Sequence, residues 1–549
     1  MYDQPNAYKP NNGPQQYYAQ PGATAQPYFV EQQQYGGAGN AQTVAHIKPE
    51  NQQASSGFRD WPFAILFVLN VAAMVGLMAI WGIKSIKDGG WDVETTSDNK
   101  DSHFITAKET KVVLGVALAM AVIAVVLALA LVKLIVLYAS CMITFVLWFN
   151  VGLSFAVAAY GFYIGSIFLG VFGLIIALLN LCYARCVMHR IPFAVANLRV
   201  AAAAISKHAT TYCVAITMTI IQIAWVGVWA LAFLGVANHL RGEKSGSAAA
   251  ATGIKAIGEQ CFSNSECASN YCTKKSSSST VKTCHTQSSM STFTNDDPVN
   301  YVIYFFMLVS FYWGLQVFKN ISHTTIAGTV ASFWFSADSK GATGSALKRS
   351  CTTSLGSICL GSLIVAILQA LRAMAEQAKE EGSAAACFAE CILGCLQSLM
   401  EYFNRWAYVY VGIYGYKFTQ AGKAVFDLFH QRGFDAIIND DLIGTVLSFA
   451  ALAVGLICAG AGALVANYTD IVDFEHSTVF LAVLGFIVGV GIAVTPLSVI
   501  DSSVATIFVC FAEDPAAFLQ SHPDLYQPLV TEWHNLYPEI MVSAGYYYA

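Results

Sequence analysis

The sequence has few charged side chains. Asp, Glu, Lys and Arg make up 11% of the 549 residues, whereas hydrophobic residues make up 56%. A soluble globular domain carries nearer ~25% charged residues, so this composition excludes an ordinary soluble protein. We therefore expect an integral membrane protein whose largest partner is the lipid bilayer.

Basic clusters and catalytic motifs are also missing. The net charge is −5, and no run of Lys and Arg is dense enough to indicate binding to nucleic acid. The sequence contains no P-loop, no G-x-S-x-G and no His/Glu metal pattern. We expect no enzyme, no cofactor and no metal site. The polar links are too short for the nucleotide domain of an ATP-driven pump, which leaves a transporter, a channel or a membrane scaffold.

Residues 1–60 lack the apolar content of the rest of the chain. They are rich in Gln, Asn, Tyr, Gly, Pro and Ala, with almost no Leu or Ile. Such a segment cannot bury enough apolar surface to offset its ordering entropy, so we predict a disordered cytosolic tail. It is either a sorting or interaction tail for cytosolic partners or a solvated tail without a defined role. The apolar run from Trp61 begins too late and is too long for a cleaved signal peptide.

Long apolar runs occupy most of the remaining chain. About 20 apolar residues in a helix cross the ~30 Å hydrocarbon layer, and runs of this length recur. From Leu134 to Tyr183 there is no acid or base. That run is too long for one helix, so we predict two, hinged near Tyr160–Gly161. The predicted fold class is all-α, a polytopic membrane protein with about ten transmembrane helices. The spans are 61–83, 112–132, two within 134–183, 212–237, 301–318, 351–371, one within 384–414, 442–467 and 478–499.

Small residues mark the faces on which we expect helices to pack closely. Ser357 and Gly361 share a face of the seventh span, and Gly485 and Gly489 share a face of the tenth. Apolar burial does not drive helix association inside lipid, so such faces are where backbones approach each other. Pro496 is expected to kink the tenth span.

The cysteines predict which side of the membrane one polar link faces. Four of the fifteen cysteines lie within residues 238–298, namely Cys261, Cys267, Cys272 and Cys284. Their spacing amid Ser and Asn is typical of a disulfide-stapled loop, which needs an oxidising exterior. A zinc site, which favours C-x2-C pairs, is the alternative. Spacing does not choose among the pairings that four cysteines allow.

The charges of the short loops agree with this orientation. Residues 185–210 and 319–350 are basic, which is typical of cytosolic loops. We expect both termini in the cytosol and residues 238–298 outside. The predicted domains are the 1–60 tail, a 61–512 transmembrane transporter domain and a 513–549 cytosolic C-terminal tail. Cysteines of the eighth span (Cys387, Cys391 and Cys395) are interpreted as packing thiols.

Six motifs in the second half of the chain form one set. They are HTTIAG at 323–328, SFWF at 332–335, ALKRSCTTSLGSICLGSL at 346–363, NRWAYVYVGIYGYKFTQAGKAVFDLF at 404–429, GFDAIINDDLIG at 433–444 and VIDSSVATIFVCFAEDP at 499–515. The set resembles the choline transporter-like family, in particular its fungal branch. The resemblance implies a plasma-membrane transporter of choline or a related amine, working by facilitated diffusion or proton exchange.

Aromatic side chains deep in two spans are the candidate substrate site. Trp225 and Trp229 share a face of the fifth span, and the sixth adds Tyr304, Trp313 and Gln316. A quaternary ammonium ion cannot donate hydrogen bonds and is held by cation–π attraction to such rings. We predict that Trp225→Leu and Trp229→Leu weaken choline binding while stability is kept. The alternative is that these rings pack or face lipid in a chain with 13% aromatic residues.

The eighth span holds acids and a base inside apolar sequence, namely Glu390, Glu401 and Arg405. Glu401 and Arg405 are spaced so that they could neutralise each other on one helix face. Charges inside membranes tend to face a bundle interior or a water-filled path, which suggests a gate or an ion-coupling pair. Alternatively, the span ends near Glu401 and the pair lies at the cytosolic interface.

These observations together predict a multi-pass plasma-membrane transporter that moves a small organic cation through its helix bundle. Two alternatives stay open. One is a non-transporting membrane scaffold or sensor anchored by its spans. The other is a transporter of a different small solute.

Overall fold

The computed structural model describes residues 57–87, 107–252, 272–274, 282–284, 298–380, 384–432, 435–468, 477–536 and 538. Cys261, Cys267 and the predicted N-terminal tail up to residue 56 lie outside these ranges. The described chain is helical apart from turns and two short strands, which confirms the all-α class.

The elements are α1 (Trp61–Leu77), a π-helical turn (Met78–Gly82), α2 (Ile83–Lys87), α3 (Ala107–Leu137), α4 (Ala139–Tyr163), α5 (Ile167–Val187), a 3-10 turn (Met188–Arg190), α6 (Ile191–Lys207), α7 (Thr210–Thr252), β1 (Cys272–Lys274), β2 (Lys282–Cys284), α8 (Pro298–Phe335), α9 (Ala342–Cys351), α10 (Leu355–Glu380), α11 (Ala384–Tyr414), α12 (Phe418–Arg432), α13 (Asp435–Tyr468), α14 (Ser477–Glu513), α15 (Pro515–Ser521) and α16 (Pro523–Leu536).

Within the described ranges, nine helical stretches are long and apolar enough to cross a membrane. They are Trp61–Ser85, Gly115–Leu137, Ala139–Tyr163, Ile167–Lys207, Thr210–Leu240, Tyr301–Phe335, Leu355–Lys379, Leu442–Asn467 and Ser477–Glu513. Each contains a predicted span, but the fourth and sixth continue as helix to Lys207 and Phe335. Residues predicted as basic cytosolic loops therefore belong in part to these helical stretches. The remaining predicted span, the eighth, is α11, a continuous helix of 31 residues that is not among these nine stretches.

The break between the third and fourth spans lies beyond the predicted hinge. α4 ends at Tyr163 and α5 begins at Ile167, so the prediction of a hinge near Tyr160–Gly161 is wrong by a few residues. Gly165 in the turn has φ 77, a left-handed conformation that glycine adopts without strain. Gly161 serves helix contact instead, since a Cβ there would lie 2.7 Å from the nitrogen of Gly170.

Short helices close one end of the bundle. α6, α9, α12, α15 and α16 pack at the ends of α8, α11 and α14, and we call this the capped end. α6 is buried along most of its length. α16 buries Leu529 and Trp533 because its apolar face lies against α6. Much of the predicted C-terminal tail, up to Leu536, is therefore folded onto the bundle.

The small-residue faces lie at close helix contacts. A Cβ on Gly361 would lie 2.5 Å from the Tyr408 hydroxyl oxygen on α11. A Cβ on Gly489 would lie 2.8 Å from the Cβ of Cys458 on α13. Both contacts need the absence of a side chain. Pro496 is accommodated within α14, which continues on either side of it.

Asp60 joins the start of the first span to two other helices. Its backbone is left-handed, with φ 46. Its Oδ2 accepts hydrogen bonds from Ser357 Oγ at 2.7 Å and from the backbone N–H of Phe418 at 2.9 Å. Because Phe418 begins α12, the carboxylate caps that helix. The N–H of Arg59 donates to the carbonyl oxygen of Thr353 at 2.8 Å, so α1 is tied to the start of α10 as well.

Candidate functional site

α11 carries polar side chains along the face that meets α8, α10 and α14. Its opposite face is apolar and exposed, with Phe388 at 70% and Leu399 at 67% exposure. In a bundle surrounded by lipid, this arrangement directs polar groups to internal partners or to a water-filled path. The polar residues are Glu390, Gln397, Glu401, Asn404, Arg405 and Tyr408.

Glu390 lies in an ion-pair group at the end opposite the caps. Its Oε2 is 2.8 Å from Lys379 Nζ, and its Oε1 is 3.9 Å from Arg372 Nη2. Both bases belong to α10, and both are partly exposed. The charge of Glu390 is thus balanced by its neighbours. This predicted site residue links α11 to α10 through ion pairs.

Glu401 lies deeper and is solvated by amides. Its Oε1 accepts hydrogen bonds from Gln369 Nε2 at 3.0 Å and from Gln397 Nε2 at 2.9 Å. Gln397 in turn accepts from Arg372 Nη1 at 3.4 Å. Amides carry no net charge, so they stabilise the carboxylate without cancelling its charge. A carboxylate held in this way can pair with an incoming cation.

Arg405 pairs across the bundle. Its Nη2 donates to Asp501 Oδ1 at 2.8 Å and to the carbonyl oxygen of Asp501 at 3.3 Å. The predicted neutralisation of Glu401 by Arg405 is therefore corrected, because the base reaches α14 while the acid is held by amides of α10 and α11. Asp501 thus accepts twice from one guanidinium nitrogen, through its carboxylate and its backbone carbonyl.

His323 brings α8 to the same place. One ring nitrogen lies 2.7 Å from Ser502 Oγ, and the other lies 2.9 Å from the carbonyl oxygen of Arg405. A carbonyl only accepts, so Nε2 carries a proton, and in the neutral ring Nδ1 accepts from the serine. The network of Arg405, Asp501, His323 and Ser502 holds α8, α11 and α14 together.

Neutral polar groups fill the contact between α8, α10 and α11. Asn320 Nδ2 donates to Ser362 Oγ at 3.0 Å, and the Tyr408 hydroxyl lies 3.2 Å from the same oxygen. Asn404 Nδ2 donates to the carbonyl oxygen of Gly361 at 2.8 Å. Its Oδ1 is buried and has no hydrogen-bond partner among the described residues. This acceptor is available to a ligand that donates a hydroxyl proton.

Tyrosines gather around one acid at the capped end. The Tyr410 hydroxyl donates to Glu513 Oε1 at 2.7 Å. The rings of Tyr410, Tyr414 and Tyr416 lie between 5.2 and 6.4 Å apart, centroid to centroid. Residues 406–413 of α11 are all buried, so the bundle is closed here. We call these three rings and Glu513 the tyrosine–glutamate cluster, and electron-rich rings beside a carboxylate attract organic cations.

Arg349 of α9 reaches the same turn of α11. Its Nη2 donates to the carbonyl oxygen of Gly412 at 2.8 Å. Gly328 on α8 makes room for it, since a Cβ there would lie 2.8 Å from that nitrogen. Burial lowers the pKa of the Arg349 guanidinium, which stays charged because an arginine pKa lies so far above neutrality. α9 thereby fastens α11 to α8 beside the tyrosine–glutamate cluster.

The two predicted tryptophans of the fifth span lie between α7 and α8. Trp225 Nε1 donates to the carbonyl oxygen of Phe311 at 3.2 Å, and Trp229 Nε1 donates to that of Met307 at 2.8 Å. The fifth and sixth spans do pack together. However, Trp225 is only 4% exposed, and both indoles are engaged in joining the two helices.

The other predicted aromatic residues have different neighbours. Trp313 Nε1 donates to the carbonyl oxygen of Cys359 on α10 at 3.0 Å. Tyr304 packs beside Leu308 and Ala370, also between α8 and α10. Gln316 lines a groove between α7 and α8. The five predicted residues are thus distributed over separate contacts of α8.

The described cysteines fall into two groups. Cys272 and Cys284 stand opposite each other in the antiparallel register of β1 and β2. Cys387, Cys391 and Cys395 are free thiols and are exposed. They lie on the apolar outer part of α11 and not in its packed interior, which corrects the interpretation of packing thiols.

A second polar contact at the capped end contains a lysine, two histidines and the ring of Phe333. Lys207 Nζ donates to the carbonyl oxygen of Ala337 at 2.7 Å and lies 5.4 Å from the Phe333 ring centroid. The His522 ring lies 3.9 Å from the same ring. Burial, and then the charge of Lys207, lower the pKa of both His208 and His522.

Sequence reasoning missed Asp501, Tyr410 and Glu513. All three lie within the quoted motifs at 404–429 and 499–515, so the signal was present. Their partners are known only once α11 and α14 are packed. No group of three or more His, Cys, Asp and Glu side chains that could hold a metal ion occurs among the residues described.

A bundle of helices long and apolar enough to cross a membrane, with carboxylates held on an interior polar face, is typical of a multi-pass membrane transporter. The family model described as "Plasma-membrane choline transporter" matches residues 171–516, which is more than half of the chain. The chain belongs to this family, as its motifs predicted.

Curated relatives include fungal proteins and a CTL-like protein. Protein PNS1 of Gibberella zeae is 37% identical over 248 residues, covering 43% of this chain and 45% of that protein. Protein PNS1 of Eremothecium gossypii is 27% identical over 514 residues, or 88% of this chain and 82% of the relative. A CTL-like protein of Dictyostelium discoideum is 26% identical over 412 residues, covering 73% of this chain and 63% of that protein. The matched region spans less than half of the first-named relative.

Proposed function

We propose that this protein transports a small organic cation of the choline type across the plasma membrane. The observation that carries the proposal is Glu401, an ionisable acid on an interior helix face whose Oε1 accepts hydrogen bonds from two neutral amides, those of Gln369 and Gln397. Intramembrane acids of this kind mark substrate or ion pathways. The family match, which includes all of α11, supports the same reading.

In this proposal the cation is bound by charge and released at a gate. Glu401 supplies the negative charge, and the unused Oδ1 of Asn404, about one helical turn further along, accepts the substrate hydroxyl. The Arg405–Asp501 pair and His323 hold the three surrounding helices in register. The tyrosine–glutamate cluster is the closed gate at the capped end, and it opens when the cation displaces the Tyr410 hydroxyl from Glu513.

Uptake of radiolabelled choline by liposomes containing the purified full chain tests the proposal. Wild type should accumulate choline, and Glu401→Gln should reduce the initial rate at least about tenfold, since one charge-assisted contact is worth about 1.5–3 kcal/mol. Asp427→Asn, an exposed acid on α12, is the matched control. Absence of uptake by wild type would favour a scaffold or another solute, and equal rates for both variants would remove Glu401 from the path. A pH gradient that drives uptake would distinguish proton exchange from facilitated diffusion.

The orientation is part of the same proposal. Residues 238–298 face outside, and the capped end and both termini face the cytosol. The support is the predicted disulfide-stapled loop, in which Cys272 and Cys284 stand opposite each other in the register of β1 and β2. Thiol labelling of intact cells with an impermeant reagent, with and without reductant, tests this. Labelling of this loop only in permeabilised cells would reverse the topology.

A further inference from the structure

A groove between α7 and α8 has the wrong charge for the proposed substrate. It encloses about 300 Å3 and is lined by Thr219, Gln222, Ile223, Val226, Leu315, Gln316 and Lys319. This volume is at the lower end of the range of small-molecule sites, roughly 300–1,000 Å3. Lys319 supplies a positive charge, and no acid lines the groove.

Lys319 is available to a ligand. Its side chain is exposed, and no ion pair or hydrogen bond to it occurs in the described part of the chain. The acid of the nearby network, Asp501, is bound by Arg405. A charge inside a membrane-crossing segment is costly unless a counter-ion or water accompanies it. An anion bound in the groove would supply that counter-ion to Lys319.

Hydrogen bonds fix the walls of the groove, and two of its side chains keep N–H groups that can donate to a ligand. Gln222 Nε2 is used by the carbonyl oxygen of Leu315 at 2.9 Å, and Thr219 Oγ1 lies 2.9 Å from Thr495 Oγ1. These bonds hold α7 to α8 and α14. Gln316 and Lys319, one turn of α8 apart, supply the remaining N–H donors. His323 follows Lys319 by one further turn, so the groove adjoins the Arg405–Asp501 network.

We propose that this groove binds an oxyanion, a phosphate or carboxylate group, with Lys319 as its charge partner and Gln316 as a second donor. Such a group is carried by a zwitterionic amine such as phosphocholine or by the headgroup of an anionic phospholipid. The two sources share one recognition chemistry. The inference does not rest on choline transport, because oxyanion binding is measured separately from uptake.

Thermal unfolding of the purified full chain in maltoside micelles, which carry no oxyanion, tests the site with three probes: phosphocholine, phosphatidylserine incorporated into the micelles, and choline as the control without an oxyanion. We expect phosphocholine or phosphatidylserine to raise the unfolding temperature of wild type. Lys319→Gln should weaken that binding at least about tenfold, since a hydrogen bond to a charged group is worth about 1.5–3 kcal/mol. Lys319→Arg should retain it, and Lys423→Gln, an exposed lysine of α12, should behave as wild type.

The probes separate the outcomes. A response to phosphocholine alone identifies a soluble zwitterion, and a response to phosphatidylserine alone identifies a lipid headgroup. No response to either oxyanion, or an equal response in Lys319→Gln, overturns the site. Failure of wild type to take up choline in a separate assay would remove the proposed function and leave this result standing.

Discussion

Two aromatic regions of the molecule differ in what stands beside their rings. Between α7 and α8, Trp225 and Trp229 give their N–H groups to backbone carbonyls of α8, and the charge in the adjoining groove is Lys319. At the capped end, the tyrosine rings surround the carboxylate of Glu513. Both regions are rich in aromatic residues in the sequence. Only the second offers the negative charge that a quaternary ammonium ion needs, so rings alone do not locate a cation site.

The largest expected effect comes from removing that negative charge. Glu513→Gln should reduce the initial rate of choline uptake about a hundredfold, because it removes a charge partner and a charged acceptor together worth about 3 kcal/mol. Tyr410→Phe keeps the ring but loses the hydrogen bond, and it should reduce the initial rate of choline uptake about tenfold. Proteoliposome uptake is the measurement.

The control for this prediction is Asp427→Asn, which changes an exposed acid on the neighbouring α12. A wild-type rate in Glu513→Gln would show that the tyrosine–glutamate cluster is structural, and the comparison of the two aromatic regions would lose its functional meaning.

The tryptophans should affect stability more than binding. Trp225→Leu removes a buried ring and its bond to the carbonyl oxygen of Phe311, which should lower the free energy of unfolding by about 2 kcal/mol. The Michaelis constant for choline should stay near the wild-type value. This reverses the prediction from the sequence, which expected lost binding at unchanged stability.

Phe168→Leu is the matched control, since that ring is 80% exposed on α5 and its loss should change little. A tenfold rise in the Michaelis constant of Trp225→Leu at unchanged stability would restore the original cation-site hypothesis.

The interior charges should couple across the bundle. A double-mutant cycle of Arg405→Gln with Asp501→Asn should show a coupling of about 1 kcal/mol or more, because this partly buried pair lies 2.8 Å apart. The cycle of Arg405→Gln with Glu401→Gln should be additive within about 0.5 kcal/mol. Denaturation in a mild detergent measures both coupling energies. A larger coupling of Arg405 with Glu401 than with Asp501 would show that Arg405 pairs with the acid of its own helix.

The smallest expected effect concerns the two histidines beside Lys207 at the capped end. Burial and the charge of Lys207 lower the pKa of His208 and His522, so below the ordinary histidine range near 6.5 the unfolded chain binds more protons than the folded one. Stability should therefore fall as pH drops below about 6.5. The unfolding temperature at pH 5.5 should lie below that at pH 7.5, and His522→Gln should reduce the difference. An unfolding temperature that rises on acidification would contradict this assignment.

The helices of this bundle could be predicted from the sequence because apolar length is a local property. The family could be predicted too, from contiguous motifs. The pairing of Arg405 with Asp501 could not, since Glu401 satisfies the same spacing rule and only the packing of α11 against α14 decides between them. For Trp225 and Trp229, spacing correctly predicted a shared face. The same spacing could not show that this face packs against the backbone of α8 rather than facing a cavity.

The carboxylate of Asp60 has a consequence for the order of assembly. It accepts hydrogen bonds from residues 297 and 358 positions further along the chain. α1 is synthesised first, yet neither partner exists until α10 and α12 have been made. Contacts of such sequence separation form late because a long loop must close before they are gained. The first span is therefore made long before the two hydrogen bonds that fix its start to α10 and α12 can form.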